Sequence, residues 1–141
     1  MFVQETKIRV RYGETDQMGY VYYGNYALYY EVGRVEALRT IGFSYKELEA
    51  RGVMLPVLSL EIKYIRPALY DDLLTVRTTI SEVPHTRIRF QHEVFNEQGT
   101  LLNKGAVELV FVDAQTMRPT AAPDYFLELM HPYFRESDKT T

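Results

Sequence analysis

RYGETDQMGYVYYGNYALYYEVGR, running from Arg11 to Arg34, is the stretch on which the fold of this chain turns. Its first half, Gly13 to Gly24, holds three glycines among polar residues and reads as a long loop. Long structured loops in compact domains are uncommon and disproportionately functional. Asn25 is a good N-cap and Gly42 a good residue just past a helix end, which predicts a helix over Tyr26 to Ile41. Tyr26, Tyr30, Gly33, Ala37 and Ile41 recur on one face of it, and Glu31 with Arg34 and Glu36 with Arg39 form charged pairs elsewhere. At 1.5 Å per residue such a helix is about 25 Å long, enough to cross a sheet.

On the N-terminal side, Lys7 to Tyr12 alternates, with Ile8, Val10 and Tyr12 predicted to face inward. On the C-terminal side a short helix is expected over Tyr45 to Arg51, ended by Gly52, and the period then changes to two. Val57 to Arg66 places Leu58, Leu60, Ile62 and Tyr64 on one side. Leu74, Val76, Thr78 and Ile80 mark the next strand, and Arg87 to Phe95 points Ile88, Phe90 and Val94 inward. His92 shares that inward set and reads as a core histidine. Asn96-Glu97-Gln98-Gly99 turns the chain into a long strand from Leu101 to Asp113, where Gly105 marks a bulge or a close backbone approach. Strand, long helix, then four strands with short connections is the order of an α+β domain with a helix on an antiparallel sheet. One domain over residues 1–134 is expected, with a short helical tail at Pro123 to Phe134 and a frayed end at 135–141.

Composition narrows the chemistry. The 141 residues carry a net charge of −3, which argues against general nucleic-acid binding. No apolar run approaches the ~20 residues of a membrane span, and residues 1–12 lack the pattern of a secretory signal, so a cytoplasmic protein is expected. With no cysteine there is neither disulfide nor thiolate nucleophile. His85, His92 and His131 are scattered, and no HExxH, GxSxG or phosphate-binding glycine loop is present. Six of the 12 tyrosines fall between Tyr20 and Tyr30.

Asp16 lies seven residues before Tyr23, at the threshold of the long helix. The first N–H groups of a helix have no internal partner and can polarise a carbonyl as charge builds on its oxygen. A carboxylate opposite them could attack that carbonyl or activate water, a combination suited to acyl transfer. On residue types alone Asp16 is equally a turn former or a solvated charge. Glu14 and Glu31 are rival carboxylates.

At these residues the sequence resembles the hot-dog thioesterase superfamily, specifically the 4-hydroxybenzoyl-CoA thioesterase-like acyl-CoA hydrolases. KYIRPALYDDLLTV (Lys63 to Val76) and NEQGTLLNKGAVELVFVD (Asn96 to Asp113) support the Arg11–Arg34 block. The resemblance implies a hot-dog fold, a long central helix wrapped by a curved antiparallel sheet of about five strands. It implies dimers, often paired into tetramers, with sites at subunit interfaces. Asp16 matches the catalytic aspartate, nucleophile or general base, and Tyr23 the residue whose backbone N–H polarises the thioester carbonyl. Many relatives carry His there, in a segment reading VYHxxY; here it is Tyr23. The implied reaction is acyl-CoA plus water giving carboxylate plus CoA, with no cofactor and with acyl carrier protein as an alternative carrier. Met18, Gly19, Tyr22 and Gly24 would border the acyl group, and Arg66, His85, Arg87 and Arg89 are candidates for the CoA phosphates. A non-catalytic acyl-CoA sensor is the competing reading, and a hot-dog dehydratase ranks below it.

Overall fold

In the computed structural model, which describes residues 1–134, the long helix α1 runs from Asn25 to Arg39. Its C-terminal end follows the glycine. Gly42 has φ +85°, its N–H bonds the Arg39 carbonyl at 3.1 Å, and the Phe43 N–H reaches back to Leu38 at 3.1 Å. That pair of bonds satisfies the last orphan carbonyls, and both Leu38 and Phe43 are buried beside it. The N-terminal end departs from expectation. Gly24 occupies the cap and Asn25 is the first helical residue. Asn25 Nδ2 instead donates to the Glu14 carbonyl at 2.9 Å, so a tertiary bond to the loop has displaced a local cap.

Strand β1 (Phe2–Arg9), β3 (Val57–Tyr64), β4 (Leu73–Ile80), β5 (Arg87–Phe95) and β6 (Leu101–Val110) form one antiparallel sheet in the order β1-β4-β5-β6-β3. A two-residue strand β2 (Val53–Met54) pairs with β7 (Val112–Asp113). Thus the expected long strand Leu101 to Asp113 is broken at Phe111, a buried ring whose N–H bonds the Thr86 carbonyl. Two short helices, α2 (Tyr45–Ala50) and α3 (Asp124–Met130), complete the order; the Ser44 hydroxyl caps α2 by accepting the Glu47 N–H. The fraying expected of 135–141 lies outside the described residues.

Helix α1 packs chiefly over β1 and β4. It comes close because Gly33 has no side chain: a Cβ there would meet Val76 Cγ1 at 2.7 Å and Thr78 Oγ1 at 2.9 Å. Gly105 is a close approach too, since a Cβ would lie 2.2 Å from the Glu61 carbonyl and 2.8 Å from the Tyr30 ring. Phe2, Tyr30, Leu38, Leu74, Val76, Ile80, Ile88, Phe90 and Val94 fill the space between helix and sheet. Each such buried side chain contributes about 1.5–3 kcal/mol relative to exposure.

Several expectations about facing are corrected. β1 begins at Phe2 rather than Lys7, and the chain leaves the sheet after Val10, so Tyr12 is 78% exposed instead of inward. β3 lacks the expected alternation in burial, because its register shifts between Val57 and Ser59 and it is an edge strand that α1 does not cover: only Ile62 is half-buried, and Leu58 and Leu60 remain 49% and 43% exposed. Glu31 and Arg34 form no ion pair. Arg34 turns into the protein and is only 6% exposed. It lies near His92, which is 1% exposed, bonded through Nδ1 to Thr78 Oγ1 at 3.1 Å and stacked on Tyr30 at 4.5 Å. Burial, helped by the Arg34 charge, pulls the His92 pKa down to about 3 and keeps the imidazole neutral. The Tyr30 hydroxyl donates to Asn103 Oδ1 at 2.7 Å.

Candidate active site

The end of β1 is tied to the start of β4 by Val10 N–H bonding Asp72 O at 2.9 Å, and the chain then turns at Arg11. A single 3₁₀ turn over Tyr12–Glu14 starts the glycine-rich loop. Glu14 is fully engaged. Its carboxylate accepts the Arg11 N–H at 2.9 Å, the Arg11 guanidinium at 2.9 and 3.1 Å, and the Tyr29 hydroxyl at 2.9 Å. Burial pushes the Glu14 carboxyl upward, but these hydrogen bonds outweigh it and hold it below the usual carboxylate range. Its carbonyl accepts the Tyr22 N–H at 2.9 Å and the Asn25 amide, stapling the loop to the helix start.

Asp16 is bonded differently. The loop closes on it through Asp16 N–H to Tyr20 O at 2.8 Å and Gly19 N–H to Asp16 O at 3.0 Å, with Gly19 at φ +78°. Only Oδ1 of its carboxylate is held, accepting Met18 N–H at 2.9 Å and Tyr20 N–H at 3.2 Å. Among the described residues Oδ2 has no partner. Asp16 is thus fixed by its own turn and keeps one oxygen available for chemistry.

Across from it the chain enters α1. The Tyr22 carbonyl accepts Asn25 N–H at 2.9 Å, and the Tyr23 carbonyl accepts the Tyr64 hydroxyl at 3.2 Å and Tyr26 N–H at 3.4 Å. Neither the Tyr23 nor the Gly24 N–H has an acceptor among the described residues. Asp16, Tyr23, Tyr26, Tyr64, Ile65 and Arg66 line a common open cavity of about 350 Å³. A half-buried carboxylate, the residue at which the chain enters α1 and one cation therefore share one space.

On the other side of Asp16 lies an open hollow of about 860 Å³ with Gly19, Tyr12 and Tyr70 in its wall. Met18 is exposed on the loop between the two spaces, and Tyr22 packs its ring against Tyr23 at 4.7 Å. Gly24 lies close to it, where a Cβ would be 3.0 Å from the edge of the Tyr22 ring. His85, Arg87 and Arg89 are not brought to this place. They line a separate concavity of about 470 Å³ around the β4–β5 turn, at the opposite end of the eight-residue strand β4. Strand rise puts roughly 25 Å between those ends. Arg87 and Arg89 also share Glu108 as a counter-ion, at 2.8 and 3.9 Å. Among the described residues no three His, Asp or Glu side chains gather to hold a metal ion.

Over residues 10–130 the sequence matches the thioesterase-like superfamily. The chain belongs to that superfamily. It is 35% identical over 129 residues to the putative acyl-CoA thioesterase YneP of Bacillus subtilis, covering 89% of this chain and 94% of that protein. It is 38% identical over 116 residues to the acyl-CoA thioester hydrolase YbgC of Escherichia coli, covering 82% and 87%. Among solved structures, the DHNA-CoA thioesterase of Staphylococcus aureus superposes with a TM-score of 0.88 at 33% identity, over 99% of this chain and 94% of that one. The fold is the hot-dog arrangement and the chain is an enzyme that hydrolyses thioesters.

Tyr26, Tyr64 and Ile65 in the cavity wall were not singled out from sequence. The signal for Tyr64 was partial: the period of two grouped it with Leu58, Leu60 and Ile62 on one side of the strand.

Proposed function

We propose that this thioesterase hydrolyses acyl-CoA at Asp16, yielding a carboxylate and free CoA. The observation that carries the reading is the shared cavity, lined by Asp16, whose Oδ2 is available, and by Tyr23, whose N–H is unpaired among the described residues. A thioester carbonyl seated there would present its oxygen to the Tyr23 N–H. As the carbon becomes tetrahedral, negative charge gathers on that oxygen, where the helix end and the N–H stabilise it. Asp16 either attacks the carbon, giving an anhydride that water then opens, or takes a proton from the attacking water. Both routes expel the thiolate, which gains a proton as CoA–SH, and both consume one water. No metal or cofactor enters either route. The relatives named for acyl-CoA hydrolysis support the CoA carrier.

Arg66, exposed at the cavity wall, is the cation best placed within one chain for a CoA phosphate. Met18, Gly19, Tyr22 and Gly24 would shape the mouth through the loop. A second copy completes the site in this reading. β3 has an unpaired edge, and its exposed Val57, Leu58 and Leu60 run beside the cavity residues Tyr64 and Ile65; Leu28 and Val32 leave a further exposed apolar strip on α1. Such a surface is unusual on a monomer. A homodimer, paired further into a tetramer, would cover it and bring the partner's helix to the acyl group. Light scattering behind a sizing column is expected to give a multiple of the chain mass; a monomer at micromolar concentration would refute this. No helix among the described residues is long and apolar enough to cross a membrane; a cytoplasmic site of action fits the reading.

Thiol release from a panel of aliphatic and aromatic acyl-CoAs, with an acyl carrier protein thioester alongside, tests the function. Turnover of at least one CoA ester is expected. Tight binding without release would favour a sensor, and turnover of the carrier protein ester alone would move the substrate to that class.

A further inference from the structure

We propose that the Tyr64 hydroxyl is a positioning group for the backbone that polarises the substrate carbonyl. The proposal rests on the reading of Asp16 and Tyr23 above and adds a residue to it. The peptide linking Tyr23 to Gly24 is trans, so its C=O and N–H point in opposite directions. Tyr64 donates to that C=O at 3.2 Å, a shorter contact than the 3.4 Å from Tyr26 N–H. Holding the carbonyl toward β3 and into the helix therefore turns the Gly24 N–H outward. The preceding peptide is held in the same way by Asn25 N–H on the Tyr22 carbonyl, which turns out the Tyr23 N–H.

This junction needs an external restraint. A Cβ at Gly24 would sit 3.0 Å from the edge of the Tyr22 ring, and glycine is the residue that resists backbone rotation least. Packing does not supply the restraint either, since the Tyr22 and Tyr23 side chains are both largely exposed. Tyr64 is half exposed as well, but it is carried by a strand. It sits on β3, with its ring against buried Tyr26 at 5.7 Å and edge-on to Tyr23 at 6.4 Å. Tyr26 is itself pinned, its hydroxyl accepting Ala68 N–H at 3.1 Å. The hydroxyl of Tyr64 thus transmits the rigidity of the strand to the Gly24 N–H, beside the Tyr23 N–H that Asn25 orients. Both donors matter only when charge develops on oxygen, and loss of the hydroxyl is felt in kcat rather than KM.

Tyr64→Phe removes the hydroxyl and keeps the ring. With the best acyl-CoA of the panel, kcat is expected to fall by about five- to twentyfold, a fraction of the effect of deleting an oxyanion donor, with KM within about twofold of wild type. A spectroscopic readout separates positioning from general loosening. In an Asp16→Asn background, the infrared stretch of the bound thioester carbonyl is expected to shift to lower frequency, and to shift less in Asp16→Asn/Tyr64→Phe. Unchanged kcat in Tyr64→Phe, or a lower kcat with an undiminished carbonyl shift, overturns the proposal and leaves the Asp16 reading standing. Absence of thioester turnover by the wild-type protein overturns both.

Discussion

The two ends of the sheet are both concave and both charged, and they differ in what their polar groups have left to bond. Around the β4–β5 turn, Arg87 and Arg89 share Glu108 as a counter-ion, and the His85 carbonyl accepts Ala122 N–H. Around Asp16, one carboxylate oxygen and two consecutive N–H groups are uncommitted among the described residues. The same contrast recurs over two residues of sequence: Glu14 is encircled by Arg11 and Tyr29, whereas Asp16 is held through one oxygen only. In the proposed function, reactivity rests on unsatisfied bonding capacity in a fixed geometry and not on the density of charge.

The largest expected effect comes from removing that capacity. Asp16→Asn keeps the Oδ1 acceptor for Met18 and Tyr20, so the melting temperature should change little, while thiol release drops by about 10²–10⁴-fold. Glu14→Gln should do the reverse. It weakens the bonds that tie loop to helix, costing about 1–3 kcal/mol in a denaturant titration, yet leaves most of the turnover per folded molecule. Because the folded-state pKa of Glu14 is depressed, its contribution is present above the normal carboxylate value near 4.5 and is lost as pH falls through the lower folded value. Wild-type stability should accordingly decline more steeply than that of Glu14→Gln below about pH 4.5.

Smaller effects sharpen the contrast between the two ends. Arg66→Gln is expected to raise KM for acyl-CoA by about three- to tenfold, the worth of one charged phosphate contact, with little change in kcat. Arg87→Gln and Arg89→Gln should alter KM by less than about twofold, as expected for exposed paired charges. A rise in KM for Arg87→Gln matching that of Arg66→Gln would show that the distant concavity takes part in binding, through a partner chain.

Sequence made the helix and the inner strands legible because their signals are local and redundant. Gly42 ends α1 by the conformation only glycine adopts easily, and in β4 and β5 alternation and burial coincide. His92 reads as core because it falls in register with Ile88, Phe90 and Val94. The misreadings share another cause, a tertiary partner that overrode a local preference. Asn25 gave up capping for the Glu14 carbonyl, and Arg34 left Glu31 for the interior. For β3, alternation could not tell that the register shifts at Leu58 or that the helix leaves this edge strand open. Asp16 was suitable chemistry on residue type, and resemblance singled it out. What neither supplied is the bonding that leaves one oxygen free, or the presence of Tyr64 opposite, which arrives from 41 residues beyond Tyr23.

The most direct test of where the chemistry happens is a crystal structure of Asp16→Asn with an uncleaved acyl-CoA. The thioester is expected in the cavity of Tyr23, Tyr26 and Tyr64, its carbonyl oxygen about 3 Å from the Tyr23 N–H and its carbon facing residue 16. A thioester seated instead in the His85–Arg89 concavity, or one whose carbonyl points away from the start of α1, would contradict the assignment.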